Sequence, residues 1–189
     1  MPASPKQIAE AALERACESV AFTYNEPTVF FEYALDTAKA CRAHGLQTVV
    51  VTNGWIEPDP RAELFSHIDA TNVDLKAFTD RFYKELCGAT LQPVLDTLVY
   101  LQNETNVHLE VTTLLIPGQN DSPTEIDAMT KWAVTNLDPN VPWRFSAYRP
   151  TARWDIAPQH RSKRSCRPKA SPNKTASSTS TCSTSTLAI

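Results

Sequence analysis

Ala21-Phe22-Thr23-Tyr24-Asn25-Glu26-Pro27 sets the reading of the whole chain. Ser19 to Tyr24 reads as a strand that enters from apolar, buried residues. Pro27 suits the first position of a helix, where its missing N–H costs nothing. Phe30, Phe31, Ala34, Leu35 and Ala38 then recur at helical spacing over 27–44, with Gly45 just past the end. A strand that ends in Thr, Asn and Glu and runs into a helix is the start of a βα unit. In sheets made of such units, ligands bind at the carboxyl ends of the strands, because helices cover the faces. This strand end is therefore expected to form one wall of a small-molecule site.

The same alternation extends in both directions. Ser4 and Pro5 open a first helix with Ile8, Ala12, Leu13 and Ala16 on one face. Strands are predicted over 19–24, 47–52, 69–75, 107–115 and 143–148, and helices over 27–44, 59–67, 79–87, 92–104 and 122–136. Val49-Val50-Val51 is apolar on both faces, as in a strand covered from each side. Ser122, Pro123 and Glu125 give the last helix a strong start signal. No Asn-Gly hairpin signal separates paired short strands, so the sheet is expected to be parallel and the class α/β. A doubly wound open sheet and a β/α barrel both fit this order of elements.

After Ala157 the pattern stops. Residues 158–189 are rich in Ser and Thr, carry scattered basic residues and have almost no large apolar side chains. Such a segment buries too little surface to offset its chain entropy, so it is expected to be a disordered tail after a domain spanning 1–157. The abrupt change in composition resembles the product of a shifted reading frame.

The chain has 189 residues, 42% of them hydrophobic, enough for one domain with a substantial core. Residues 1–160 carry 12 basic and 21 acidic side chains, a net charge of −9, which argues against a nucleic-acid surface there. The basic residues of the tail are read as solvated. No apolar run reaches the roughly 18 residues of a membrane span, and no signal pattern opens the chain, so a cytoplasmic protein is expected. Cys17, Cys41 and Cys87 fall in helical patterns among apolar residues and are read as small hydrophobes. Cys166 and Cys182 lie in the tail, and no Cys-x-x-Cys occurs. His44, His67, His108 and His160 lack the spacing of metal ligands. The four tryptophans, Trp55, Trp132, Trp143 and Trp154, are read as packing. No G-x-S-x-G, P-loop or G-x-G-x-x-G is present.

Polar groups gather at four strand ends: Thr23-Tyr24-Asn25-Glu26-Pro27, Thr52-Asn53-Gly54, Asn72-Val73-Asp74-Leu75-Lys76 and Ile116-Pro117-Gly118-Gln119-Asn120-Asp121. Each has a plainer reading. Glu26 suits the positive end of a helix. Thr52-Asn53-Gly54 and the Pro-Gly segment suit turns, the latter with a second reading as an anion or ligand loop. Asp74 and Lys76 point to the same face of a strand and suit a salt bridge. Their convergence on one rim is what points to a site.

Taken in order, these four motifs resemble the radical SAM superfamily, in the branch similar to pyruvate formate-lyase activating enzyme and the AmmeMemoRadiSam-type proteins. The resemblance covers roughly residues 5–150. It implies a partial (β/α) barrel, incomplete here at both ends. It also implies S-adenosylmethionine bound across the strand ends, with a [4Fe-4S] cluster that cleaves it reductively to a 5′-deoxyadenosyl radical. Carried onto this sequence, Asn25 and Glu26 match the motif that holds the methionine amino group. Thr52 and Asn53 match the motif near ribose and methionine. Asp74 and Lys76 match the pair that reaches carboxylate and ribose, and Leu114 an apolar contact to adenine.

The departures bear on activity. The family holds its cluster with Cys-x-x-x-Cys-x-x-Cys, and no such triplet occurs in these 189 residues. Arg144 and Arg149 stand where relatives show histidines, and the sixth strand of the barrel is expected to be missing. No catalytic or metal-binding residue is therefore assigned. Two further readings remain open. One is a non-catalytic fragment or relative that binds S-adenosylmethionine or a partner. The other is an unrelated barrel enzyme with Lys76 as a Schiff base. The substrate is expected to be a protein or small molecule, with no nucleic-acid or membrane partner and with self-association through exposed sheet edges.

Overall fold

The structure is a computed structural model that describes residues 3–149 and the backbone of Thr186–Ala188. Five parallel strands, β1 (Ser19–Phe22), β2 (Gln47–Thr52), β3 (Ala70–Asp74), β4 (His108–Leu115) and β5 (Trp143–Ala147), alternate with helices. The helices are α1 (Pro5–Glu14), α2 (Phe31–Ala43), α3 (Pro58–Phe65), α4 (Asp80–Phe82), α5 (Gln92–Glu104) and α6 (Pro123–Asn136). A 3₁₀ turn, Pro27–Phe30, leads into α2, and a π turn, Tyr83–Cys87, continues α4. Spatial order follows chain order from β5 to β1, so every strand's carboxyl end lies on one rim.

Local chemistry accounts for the helix starts. Ser4 accepts the Gln7 N–H at 3.3 Å while Gln7 Oε1 accepts the Ser4 N–H at 2.8 Å, a reciprocal cap on α1. Ser122 caps α6 through the Glu125 N–H at 3.2 Å, and Thr79 caps α4 through the Phe82 N–H at 3.3 Å.

The two faces of the sheet differ, and this separates the two architectures the sequence left open. Val50, Val73 and Val111 are fully buried in the main core with Leu64, Leu98, Leu101 and Met129. The opposite face carries Val49, Val51, Asn72, Glu110 and Thr112, all only half-buried, with Asn72 Nδ2 donating to Thr112 Oγ1 at 2.9 Å. Alternating burial of this kind belongs to a curved sheet with helices on its outside and a polar inner face, as in a partial barrel. It corrects the expectation that β2 is covered equally on both sides. A second, smaller core joins α1, α2 and β1 through Ala9, Ala12, Val20, Cys41 and Leu46.

Three expectations change in detail. The helix predicted over 79–87 is α-helical only over Asp80–Phe82 before it widens into the π turn, which Gly88 closes at φ +65°. Cys17 lies in the connection after α1 rather than within a helix. The tail expected to be disordered from 158 lies outside the described residues except at its end, where Thr186–Ala188 form β6, pairing parallel with Ser19–Ala21 of β1. β1 presents an open row of backbone groups on that side, which a short β-branched and apolar segment can satisfy. No described helix is long and apolar enough to cross a membrane.

Candidate functional site

The rim is built from the end of β1 outward. Beyond Phe22 the chain bends sharply. Tyr24 sits at φ +68° and is 93% exposed, and the Asn25 N–H turns back to the Thr23 carbonyl at 2.9 Å. A tyrosine in the left-handed region is uncommon and marks a constrained bend. The bend carries Glu26 across to β2. Glu26 Oε1 accepts the Thr52 hydroxyl at 2.6 Å, and Oε2 accepts the Asn53 N–H at 2.7 Å. The same carboxylate caps the 3₁₀ turn through the Thr28 N–H at 3.4 Å. The first-turn reading of Glu26 therefore holds, and the same carboxylate also ties the end of β1 to the end of β2.

The end of β2 is equally determined. Gly54 has φ +73°, and a Cβ built there would lie 2.8 Å from Val73 Cγ1 and 3.2 Å from Val94 Cγ1. Its N–H donates to Thr52 Oγ1 at 3.1 Å, and the Trp55 N–H donates to Asn53 Oδ1 at 2.7 Å. Glycine here serves both a turn and a close approach of backbone to core.

At the end of β3, Lys76 Nζ lies 3.0 Å from Asp74 Oδ2. Both side chains are more than a third exposed, so the contact orients the ammonium more than it stabilises the fold. Beyond β4, Asn120 Oδ1 accepts the Ile116 N–H at 2.7 Å and Asp121 Oδ1 accepts the Gly118 N–H at 2.7 Å. The loop's own side chains take these amides, as the turn reading of the Pro-Gly segment requires, and leave them closed to an anion.

A cavity of about 400 Å³ opens between these ends. Asn53 and Trp55 line it from the β2 side, Lys76 from β3, and Leu114 and Ile116 from β4. Tyr83, Leu86 and Cys87 of the π turn form an apolar wall. Its volume falls within the range of small-molecule sites, and its combination of apolar walls with a few polar groups is typical of them. Burial pushes the Cys87 thiol above its ordinary value, with the charge of Lys76 acting in opposition. Burial pushes the Tyr83 phenol up, so it stays protonated.

Of the seven residues singled out from sequence, Asn53, Lys76 and Leu114 line the cavity. Glu26 and Thr52 join it through Asn53, and Asp74 through Lys76. Asn25 stands exposed on the bend, apart from this network. Trp55, read from sequence as packing, is 40% exposed and lines the cavity; Trp132 does pack, its ring 6.0 Å from that of Phe78. Sequence reasoning passed over Tyr83 and Cys87, because their helical spacing marked them as core. No group of three His, Cys, Asp or Glu among the described residues is gathered as a metal site. Cys17, Cys41 and Cys87 stand in a connection, in α2 and at the end of the π turn, so these residues do not fit an iron–sulfur cluster.

A curved parallel sheet with helices outside and a polar site at its carboxyl rim defines a partial β/α-barrel protein of the cofactor-binding kind. The model of the radical SAM superfamily matches residues 2–129, and the chain belongs to that superfamily. It is 37% identical over 147 residues to an uncharacterised protein of Methanocaldococcus jannaschii, covering 78% of this chain and 43% of the relative. It is 32% identical over 92 residues to pyruvate formate-lyase 1-activating enzyme of Escherichia coli, covering 48% and 37%. The chain thus spans about two-fifths of the length of these relatives. Among solved structures, the fold resembles a domain of pyruvate-formate lyase-activating enzyme from Bacteroides vulgatus, with a TM-score of 0.58 at 20% identity over 66% of this chain and 75% of that one. It also resembles SuiB of Streptococcus suis bound to S-adenosylmethionine, with a TM-score of 0.62 at 19% identity over 80% and 36%.

Proposed function

We propose that the rim cavity binds S-adenosylmethionine and that the chain is the cofactor-binding part of a radical SAM enzyme. The observation that carries this reading is the Glu26 carboxylate, held across β1 and β2 by Thr52 and Asn53, beside a cavity with one ammonium group, Lys76. A zwitterionic amino acid needs an acceptor for its ammonium and a cation for its carboxylate. Glu26 Oε1 is taken up by Thr52 and Thr28, whereas Oε2 accepts only the Asn53 N–H and so keeps a lone pair for a further donor. Lys76, aimed by Asp74, meets the carboxylate, and Leu114 with Ile116 covers the adenosine half. Asn53 lines the ribose side, and Thr52 acts behind it by holding Glu26. In the whole family member, a reduced iron–sulfur cluster held by other residues would supply the electron for reductive cleavage of S-adenosylmethionine. The described residues of this chain bind and orient it, and they do not provide the cluster's ligands. A peptide or protein substrate is consistent with the likeness to SuiB, which has been solved bound to its precursor peptide SuiA.

Calorimetry of the chain with S-adenosylmethionine tests this. Binding is expected in the wild type and a loss of at least about tenfold in Glu26→Ala, the scale of a lost charge-assisted hydrogen bond. Equal affinity in both removes Glu26 from the site.

A further inference from the structure

Lys76 lies beyond the end of β3, where the sheet ladder no longer satisfies its peptide groups. Two buried side chains from other elements do so instead. Its N–H donates to the Tyr83 phenol oxygen at 3.1 Å, and its carbonyl accepts from Asn120 Nδ2 at 2.6 Å. Tyr83 is 3% exposed and Asn120 fully buried. Asn120 is itself fixed, with Nδ2 donating to the Leu114 carbonyl at 2.9 Å and Oδ1 accepting from Ile116. Two residues further on, the Phe78 N–H donates to Glu125 Oε1 at 2.8 Å.

Buried polar groups ordinarily pair, and pairing alone would be unremarkable. What singles out this arrangement is where the bonds fall. Tyr83 and Asn120 grip the two polar groups of one residue, and that residue carries the cavity's ammonium. Asp74 sets the direction of the lysine side chain, while the clamp fixes the point from which the chain projects. A π turn places Tyr83 for this, and such turns gather at functional sites. Asn120 ties the same peptide to the β4 end, which supplies Leu114 to the opposite wall.

We propose that Tyr83 and Asn120 are positioning residues that hold Lys76 where it meets the ligand's carboxylate. This rests on the cavity being an S-adenosylmethionine site. Tyr83→Phe removes the phenol oxygen and keeps the ring. In the full chain it is expected to weaken S-adenosylmethionine about tenfold and to leave 5′-methylthioadenosine, which has no carboxylate, unchanged. In a Lys76→Met background the same substitution is expected to add nothing. The Lys76 amide should lose its protection from hydrogen exchange in Tyr83→Phe while amides inside β3 keep theirs. Equal weakening of both ligands, or a full further loss in the Lys76→Met background, overturns the proposal by showing that Tyr83 acts only as part of the cavity wall or of the fold. If the wild-type chain binds neither ligand, the S-adenosylmethionine reading fails. Hydrogen exchange then decides the clamp alone: retained protection at Lys76 in Tyr83→Phe overturns it, and selective loss upholds it.

Discussion

Gly54 shows how much of the site is settled by single residues. It follows two residues that hold Glu26, and it must both turn left-handed and pass close to the core. A methyl group there meets Val73, a fully buried strand residue with no flexible end to give way. Gly54→Ala is expected to lower stability by about 2–4 kcal/mol, combining positive-φ strain with overpacking. Urea denaturation measures this, and an unchanged midpoint contradicts it. The sequence made Gly54 legible as a turn, because Asn-Gly tolerates positive φ, but gave no sign of the valine above it. The same holds for Asn120. Its place in a Pro-Gly-x-Asn turn was plain, yet its partner Lys76 stands 44 residues away and only the fold brings them together. Glu26 was legible as a polar group at a strand end and as a first-turn acid, but its partners Thr52 and Asn53 were not, since they stand 26 and 27 residues away and only the fold joins them.

At the scale of elements, α2 illustrates what periodicity can and cannot show. Its spacing marked Ala34, Leu35 and Ala38 as inward, and all three are buried. It said nothing of the second core that α2 forms with α1, in which Cys41 is fully buried. Burial there pushes the Cys41 thiol from an ordinary 9.0 up to about 11. The folded state therefore keeps a proton that the unfolded state begins to lose near its ordinary value. The stability due to the protonated thiol is present below that value and is lost as pH rises through the folded one. Urea midpoints should fall across this alkaline window, and Cys41→Ala should flatten part of the fall. The thiol of Cys87 and the phenol of Tyr83, both raised by burial, add to the fall from their ordinary values upward. An identical slope in both proteins would contradict the assignment. The strands were legible because their apolar runs are short and bounded by polar ends. The π turn was not, since Tyr83, Leu86 and Cys87 satisfy an ordinary helical spacing until the winding widens.

For the molecule as a whole, the sheet's two edges differ. β6 pairs along β1, whereas β5 has no strand beyond it among the described residues. Residues 144–147 of β5 are exposed, and Phe145 stacks on Trp143 with ring centroids 5.9 Å apart and planes 5° from parallel. Val134 of α6 is 70% exposed beside them, and with Leu137 it shapes a groove of about 150 Å³ against the stacked pair. Unpaired strand groups beside an apolar groove favour association with another copy, which supplies both a strand and apolar surface. One feature opposes this: Arg144, which pairs with Glu110 at 3.1 Å, puts a charge on the edge. A single exposed arginine blunts an edge less than a row of lysines, and its charge is already neutralised. The chain is therefore expected to gain mass with concentration in light scattering. Phe145→Lys, at a site 45% exposed, should shift it toward monomer without lowering its melting temperature by more than a few degrees. A monodisperse monomer at every concentration in the unmodified chain would show instead that the β5 edge is covered from within the chain.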